Sequence, residues 1–345
     1  MSPPVAPPAS ASKRLNPLDP QWVERFRHDT ETLVARALDV ASVSDPGVAL
    51  AVSGGADSMA MLALAHAAFP GNVIAATVDH GLRPEAADEA ALVASVCAGL
   101  GVPHETLAPA VPIAGSSIQK QAREARYAAL EQWAEAAGVY PLLTAHHADD
   151  QAETLLMRLN RASGPAGLSG IRPYRFLGSR LLIRPLLDWR RERLRMVVGQ
   201  AGLPWIEDPS NADPRHDRTR YRTLLAEQDL LDPAALASAA AHIRESEAAL
   251  DELARGYWAE RWNDRDSDLD AADLPRELQR RLVRRALASV RDFNQIVLPP
   301  FSPASNIEAL LDALETAQRA TQAGVMVTPR NGRWRFAPAP PRRSL

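Results

Sequence analysis

Gly47-Val-Ala-Leu-Ala-Val-Ser53-Gly54-Gly55-Ala56-Asp57-Ser58 is an apolar run that stops at Ser-Gly-Gly and turns polar. A run this short and evenly apolar is the pattern of a parallel strand buried on both faces. Asp57 to Ala68 then reads as a helix. Where a strand passes through two glycines into a helix, backbone N–H groups can close on an anion, and the helix N-terminus adds partial positive charge. Ser53 and Ser58 add hydroxyl donors for phosphate oxygens. Neither G-x-x-x-x-G-K-[ST] nor G-x-G-x-x-G is present, so the loop is not a Walker A loop and gives no support to a dinucleotide fingerprint.

The same alternation continues on both sides. Gln21 to Val40 reads as an amphipathic helix, Asn72 to Asp79 as a second buried strand and Glu85 to Leu100 as a helix. A short extended piece lies at His104 to Ala108, a helix at Ser117 to Ala137, a strand at Tyr140 to Ala145 and a helix at Asp149 to Arg161. This spacing predicts an α/β fold with a doubly wound, mostly parallel sheet. Such sheets bind ligands beyond the carboxyl ends of their strands. The polar clusters fall at those ends: Ser53-Gly54-Gly55, Asp79-His80-Gly81 and His146-His147-Ala148-Asp149-Asp150. Asp79 can cap its own turn or face a nucleotide or its magnesium. In the third cluster His146 and Asp150, and Asp149 and Glu153, are four apart and share helix faces. These residues suit a transition metal, a helix cap, or Mg²⁺ with a nearby base; beside a phosphate loop the magnesium reading is preferred.

Length and charge bound the rest. The 345 residues suit two domains at about 150 each. No apolar run approaches the roughly 18 residues of a membrane span, and the single cysteine, Cys97, excludes a disulfide framework. Residues 172–222 hold 12 arginines against 6 acidic residues (net +6) in a chain whose net charge is −3, a local field suited to a polyanion. Arg190, Arg191, Arg193 and Arg195 crowd one short helix, and Arg215, Arg218, Arg220 and Arg222 a second stretch. The Pro/Ala/Ser-rich residues 1–18 read as a disordered tail without a secretory h-region, so the cytoplasm is the expected location. After residue 222 the pattern gives a helix over 227–262, with Trp258 and Trp262 on one face as a core stripe. Helices follow at Asp273 to Arg291 and Ile307 to Ala320, then a hairpin around Asn331-Gly332.

At this point a resemblance becomes specific. SGGADS is similar to the pyrophosphate loop of the N-type ATP pyrophosphatases. With VDHGLR, QKQAREARY, LTAHHADDQAETLLMRL, ASGPAGLSGI, RPLL and IEDPSNADPRHDRTRYR, in that order, residues 47–222 resemble the tRNA(Ile)-lysidine synthases. The resemblance implies an adenine nucleotide α-hydrolase-like domain over 19–222. Residues 223–345 would form a helical linker and a small α+β domain that contacts tRNA. It implies an ATP- and Mg²⁺-dependent ligase that adenylates the wobble cytidine of a tRNA(Ile) with a CAU anticodon and joins free L-lysine to it. By the same resemblance, Ser53, Gly54, Gly55, Ala56, Asp57, Ser58 and Asp79 would bind ATP, with Asp57 and Asp149 toward Mg²⁺. Asp57, His146, Asp149 and Asp150 would line the reaction centre, and Arg123, Arg191, Arg195, Arg218 and Arg222 would hold substrate or tRNA. Glu153 reads as a lysine contact or as a solvated helix acid. Thr219 stands where the family commonly has asparagine. The sequence leaves open whether the chain works as a monomer or a homodimer.

Overall fold

The computed structural model describes residues 15–81, 85–110, 118–138, 141–207, 217–302 and 305–340. The chain divides into two compact units, Met1–Arg244 and Glu245–Leu345. In chain order the first unit runs α1 (Pro20–Leu38), β1 (Val48–Ala51), α2 (Ala56–Ala68), β2 (Val73–Val78), α3 (Glu85–Leu100), β3 (His104–Leu107) and α4 (Ile118–Ala136). It continues with β4 (Leu142–Leu143), α5 (Ala148–Leu159), α6 (Pro165–Leu168), β5 (Tyr174–Leu177), β6 (Arg180–Ile183), α7 (Arg191–Ala201) and α8 (Asp217–Glu227). Helix α9 (Pro233–Arg261) then runs across the boundary between the units.

Six strands form one sheet in the order β3-β2-β1-β4-β6-β5, parallel except for β5 against β6. The chain winds outward from β1 through β2 to β3, then returns to place β4 on the other side of β1. That reversal opens a crevice at the carboxyl ends of β1 and β4, where open α/β sheets take their ligands. Helix α2 is apolar nearly all round and Ser58 through Ala65 are buried in it, as expected of a helix covered on every side. The hairpin β5–β6 extends the sheet beyond the alternation read from sequence, because its short strands carry arginines that mask their period.

The first unit reaches further than residue 222. Arg218 and Arg222 of α8 ion-pair with Glu153 of α5, and Arg244 of α9 donates to the Ser169 carbonyl at 3.2 Å. These contacts move the division to the middle of α9. Residues 1–14 of the expected tail lie outside the described residues, but 15–18 do not trail: Leu15 and Leu18 pack on the core, and Asn16 N–H donates to the Ala201 carbonyl at 3.4 Å.

The second unit contains β7 (Trp262–Asn263), β8 (Asp268–Leu269), α10 (Arg276–Phe293), α11 (Glu308–Glu315), β9 (Ala320–Gln322), β10 (Val325–Arg330) and β11 (Arg333–Pro338). Its sheet is antiparallel in the order β7-β8-β11-β10-β9, with Asn331 and Gly332 at positive φ closing the β10–β11 hairpin. The helix expected over Ile307–Ala320 ends at Glu315, and Ala320 begins a strand. Trp258 and Trp262 stack with centroids 4.6 Å apart against the core of this unit, in agreement with the stripe reading.

One glycine in the segment after α6 is required by close approach. Gly170 has φ +72°, and a Cβ there would lie 2.4 Å from Gln151 Oε1. Gln151 is buried and bonded twice to Ile171: it accepts from Ile171 N–H at 2.6 Å and donates to the Ile171 carbonyl at 2.9 Å. Gly170→Ala is expected to lower unfolding free energy by about 2–4 kcal/mol, from left-handed backbone strain plus the broken amide pair. A denaturant midpoint unchanged from wild type would refute this.

Candidate active site

The Ser53–Ser58 loop connects β1 to α2 and is braced by its own residues. Ser53 N–H donates to Ser58 Oγ at 3.1 Å, and Ser58 Oγ donates to the Gly55 carbonyl at 2.9 Å. Gly54 has φ +86°, a conformation in which a side chain would be strained. Gly55 occupies the N-cap of α2 and supplies no side-chain cap, so no N-cap side chain occupies the first-turn N–H groups of the helix. The loop is also pinned from outside: Ile206 N–H donates to the Gly54 carbonyl at 2.9 Å and pairs with Gly55 in a parallel bridge. The IEDPSN motif thus begins against the phosphate loop, while its Asp208, Ser210 and Asn211 lie outside the described residues.

Helix α5 brings the second half of the site. His147 is its N-cap, paired with Asp150 in a capping box: His147 N–H donates to Asp150 Oδ2 at 3.1 Å. The His147 ring is 1% exposed and lies among three carboxylates: Nε2 to Asp57 Oδ2 at 3.3 Å, Nδ1 to Asp149 Oδ2 at 3.6 Å and Nε2 to Asp150 Oδ2 at 3.6 Å. Burial alone would push its pKa down; Asp150, Asp149 and Asp57 outweigh burial and raise it to about 10. The Asp150 N–H contact to Nδ1, at 3.4 Å, is too long to hold the ring neutral against three anions. The three carboxylates thus favour the protonated ring, and His147 links the phosphate loop to α5. Burial raises the Asp149 and Asp150 carboxyls, yet both are held far below the ordinary range. His147 and the Arg191 N–H do this for Asp149, and His147 and Arg218 for Asp150.

His146 behaves in the opposite way. Burial pushes its pKa down to about 3 and Arg184, Arg218 and Arg123 add to the effect, so the ring is neutral; its Nδ1 lies 3.1 Å from Thr144 Oγ1. Asp57 closes the arrangement. Its Oδ2 meets His147, while Oδ1 is buried with no hydrogen-bond partner among the described residues. Asp79 sits just beyond β2 and uses Oδ1 to accept Gly81 N–H at 2.8 Å, the turn-capping role weighed from sequence.

The arginines divide between paired and exposed. Glu153 is 1% exposed, which overturns the solvated-acid reading, and it gathers Arg218 Nε at 2.6 Å, Arg222 Nε at 2.9 Å and Arg191 at 3.5 Å. Arg218 also donates to Asp150 Oδ1 at 2.8 Å. Asp149 Oδ2 accepts Arg191 N–H at 2.8 Å and so caps α7, whose own N-cap residue offers no side-chain bond. Arg195 makes one exposed pair with Glu207 at 3.4 Å. Arg123 is exposed on α4, over the Tyr127 ring at 5.2 Å.

His147 is the residue the sequence reading passed over in favour of its neighbour. The available signal was its position two residues before the Asp149-Asp150 pair, with an acid three residues on, at a helix start. Its charge gives a pH prediction. Because its folded pKa is raised from 6.5 to about 10, its contribution is complete below pH 6.5 and is lost as pH rises through 10. Unfolding free energy measured between pH 6.5 and 10 should therefore fall in wild type and fall less in His147→Gln. Parallel curves would refute the charged assignment.

Comparison with known proteins identifies the family. A PP-loop domain model matches residues 27–229. A tRNA(Ile)-lysidine synthase of Novosphingobium aromaticivorans is 40% identical over 333 residues, covering 93% of this chain and 94% of that one. The protein of the same name from Zymomonas mobilis is 40% identical, covering 85% and 89%. The U34-tRNA thiolase NcsA from Methanococcus maripaludis, solved with its [4Fe-4S] cluster, is 18% identical with a TM-score of 0.50, covers 65% of this chain and 79% of that one, and shares the fold. With its phosphate loop, its α5 acid cluster and these relatives taken together, the chain belongs to the tRNA(Ile)-lysidine synthase family of PP-loop enzymes.

Proposed function

We propose that the chain joins free L-lysine to C2 of the wobble cytidine, position 34, of a tRNA(Ile) with a CAU anticodon. The cytosine O2 attacks the α-phosphorus of ATP and pyrophosphate leaves. The side-chain amine of lysine then attacks C2, AMP departs with O2, and the amine's proton passes to a base. The observation that carries this reading is the meeting of Asp57, from the phosphate loop, with His147, Asp149 and Asp150 of α5 in one crevice, every His147–carboxylate distance being 3.6 Å or less.

In this reading the N–H groups of Gly54 to Ser58 and the Ser53 hydroxyl take the ATP phosphates, with Asp79 toward the nucleotide. Mg²⁺ fits at Asp57, whose buried Oδ1 lacks a partner, better than at Asp149, whose Oδ2 already accepts Arg191 N–H. No group of three or more His, Cys, Asp or Glu among the described residues is arranged to hold a metal alone. That suits an ion shared between one or two carboxylates and substrate phosphates. Bound there, Mg²⁺ would neutralise charge on the departing pyrophosphate. In the tautomer whose Nδ1 carries the proton toward Thr144 Oγ1, 3.1 Å away, the neutral His146 ring would present Nε2 as a proton acceptor. Glu153 and Asp150, with their arginines, form the wall toward the lysine ammonium. Of the five arginines read toward tRNA, the exposed Arg123 and Arg195 supply the positive face for tRNA phosphates, while Arg191, Arg218 and Arg222 are held on Glu153 and shape the wall behind it. The work belongs to the cytoplasm, where ATP and tRNA meet; no helix among the described residues is long and apolar enough to cross a membrane.

Sulfur transfer to tRNA is the nearest alternative chemistry, and Cys97 argues against it. It is the single cysteine of the chain, it is buried, and burial pushes its thiol up to about 12, so it supplies neither a persulfide pair nor a cluster ligand set. The test is incorporation of labelled lysine into a tRNA(Ile) transcript with a CAU anticodon in the presence of ATP and Mg²⁺. Incorporation with stoichiometric AMP release is expected. A folded protein that incorporates none would overturn the reading.

A further inference from the structure

Residues 184–190 connect β6 to α7 and meet the start of α5 on the way. The Trp189 carbonyl accepts the N–H of Ala148, the first residue of α5, at 2.9 Å. Beyond it, Arg191 N–H donates to Asp149 Oδ2 at 2.8 Å, and Arg190 Nε reaches the same oxygen at 3.4 Å. Ala148 and Asp149 follow His147 directly, so the backbone of this connection sets where the helix that carries the acid cluster begins. A helix start leaves N–H groups that its own turn cannot satisfy, and here a distant segment supplies one acceptor.

Helix α1 holds that connection in turn. The Trp189 ring is fully buried, and its Nε1–H donates to Asp29 Oδ2 at 3.2 Å, across 160 positions of sequence. Arg25, one turn earlier on α1, donates Nη2–H to the Asp188 carbonyl at 3.2 Å and places its guanidinium 4.8 Å from the centre of the Trp189 ring. Arg25 and Asp29 also pair with each other at 3.5 Å. Even so, burial raises the Asp29 carboxyl above its ordinary value, and the Trp189 N–H and Arg25 do not cancel the effect. A carboxylate kept for its ion pair would be lowered. One kept for the oxygen it offers a buried indole need not be. Ring and carbonyl belong to the same residue, so an indole that turns to find another acceptor shifts the carbonyl that Ala148 uses.

We propose that Asp29 is a positioning residue for the reaction centre: by fixing the Trp189 indole it fixes the carbonyl on which α5 starts, and with it the placement of His147 and Asp149. It touches no reacting atom, and it rests on the ligase reading above for the chemistry it serves. Lysine incorporation, the KM for ATP, lysine and tRNA, the thermal midpoint and amide exchange are measured on the full chain. The variants are Asp29→Asn, Asp29→Leu, Trp189→Phe and Asp29→Leu/Trp189→Phe. Asp29→Asn retains an oxygen acceptor and should keep kcat within about twofold of wild type. Asp29→Leu should lower kcat about tenfold, short of the ~100-fold cost of a 1 Å misplacement, with each KM within about threefold. The loss stays partial because Arg190 still grips Asp149. In that variant the Ala148 and Arg191 amides should exchange about tenfold faster. In the Trp189→Phe background, Asp29→Leu should change neither kcat nor exchange. An unchanged kcat in Asp29→Leu with a lowered thermal midpoint would leave Asp29 a support of the fold and overturn the proposal. So would an Asp29→Asn variant as slow as Asp29→Leu, or an equal loss of kcat in the Trp189→Phe background. If wild type incorporates no lysine, the ligase reading falls while amide exchange still decides on α1. Faster exchange at Ala148 and Arg191 in Asp29→Leu would uphold its hold on α5, and unchanged exchange would refute it.

Discussion

Asp57→Ala is expected to lower ATP-dependent lysine incorporation about 10³-fold, and Asp57→Asn nearly as far. Two functions meet on this carboxylate. Its Oδ2 faces the His147 ring at 3.3 Å, and its buried Oδ1 has no hydrogen-bond partner among the described residues. A preorganised charge aimed at a reacting phosphate contributes about 10²–10³ in rate, and loss of a metal contact adds to that. Asparagine keeps the shape of the side chain and loses the charge that both partners need. The fold should survive, because Asp149 and Asp150 still neutralise His147. Incorporation and AMP release are followed alongside the thermal midpoint. Activity within tenfold of wild type in a folded Asp57→Ala protein would remove the residue from the reaction centre.

Glu153→Ala should act through a different route, by releasing α8. No residue of α8 is buried, so little hydrophobic free energy holds it in place. Its buried attachment is through Arg218 and Arg222, which converge on Glu153, and through Arg218 to Asp150; an exposed pair, Arg161 with Asp217 at 2.7 Å, adds little. Removing one partner of a buried ion pair costs about 3–5 kcal/mol. Here the arginines are partly exposed and can turn to solvent, so a global loss of about 2–3 kcal/mol is expected. The local effect should be larger. Hydrogen exchange over 217–227 is expected to accelerate toward the unfolded rate, and lysine incorporation should fall with it. Glu153→Gln, isosteric but uncharged, should behave the same way. Protection over 217–227 that matches wild type would show that α8 is held by something other than these charges.

The two predictions rest on residues that differ in how far they could be read in advance. Asp57 was legible because a strand, two glycines and a helix start fall in consecutive positions, and that local order already implies an anion site. Glu153 was not. Its burial depends on three arginines supplied by α7 and α8, from 38 to 69 positions away along the chain. His146 and His147 are adjacent, and no local pattern states which ring turns toward three carboxylates and which is buried neutral. The Arg-rich stretch gave the correct sign of local charge, but composition could not separate arginines tied to Glu153 from one, such as Arg195, that stays in solvent.

What the amino-acid order determined by itself was the local alphabet of the molecule: buried apolar strands, the helices between them, the phosphate loop and the Asn331-Gly332 hairpin. Each is set by side-chain period and backbone preference within about a dozen residues, and tertiary packing has only to accept it. The tertiary structure decided everything that depends on charge in a buried place. It raised the pKa of His147 among three carboxylates, left Asp57 Oδ1 without a hydrogen-bond partner among the described residues, carried the first unit past residue 222 to Arg244, and divided the arginines of α10 into three held by carboxylates and three held by carbonyls or aromatic rings. Ionisation and pairing follow from which groups are brought within a few ångströms in a site that excludes water, and a linear sequence does not contain those distances.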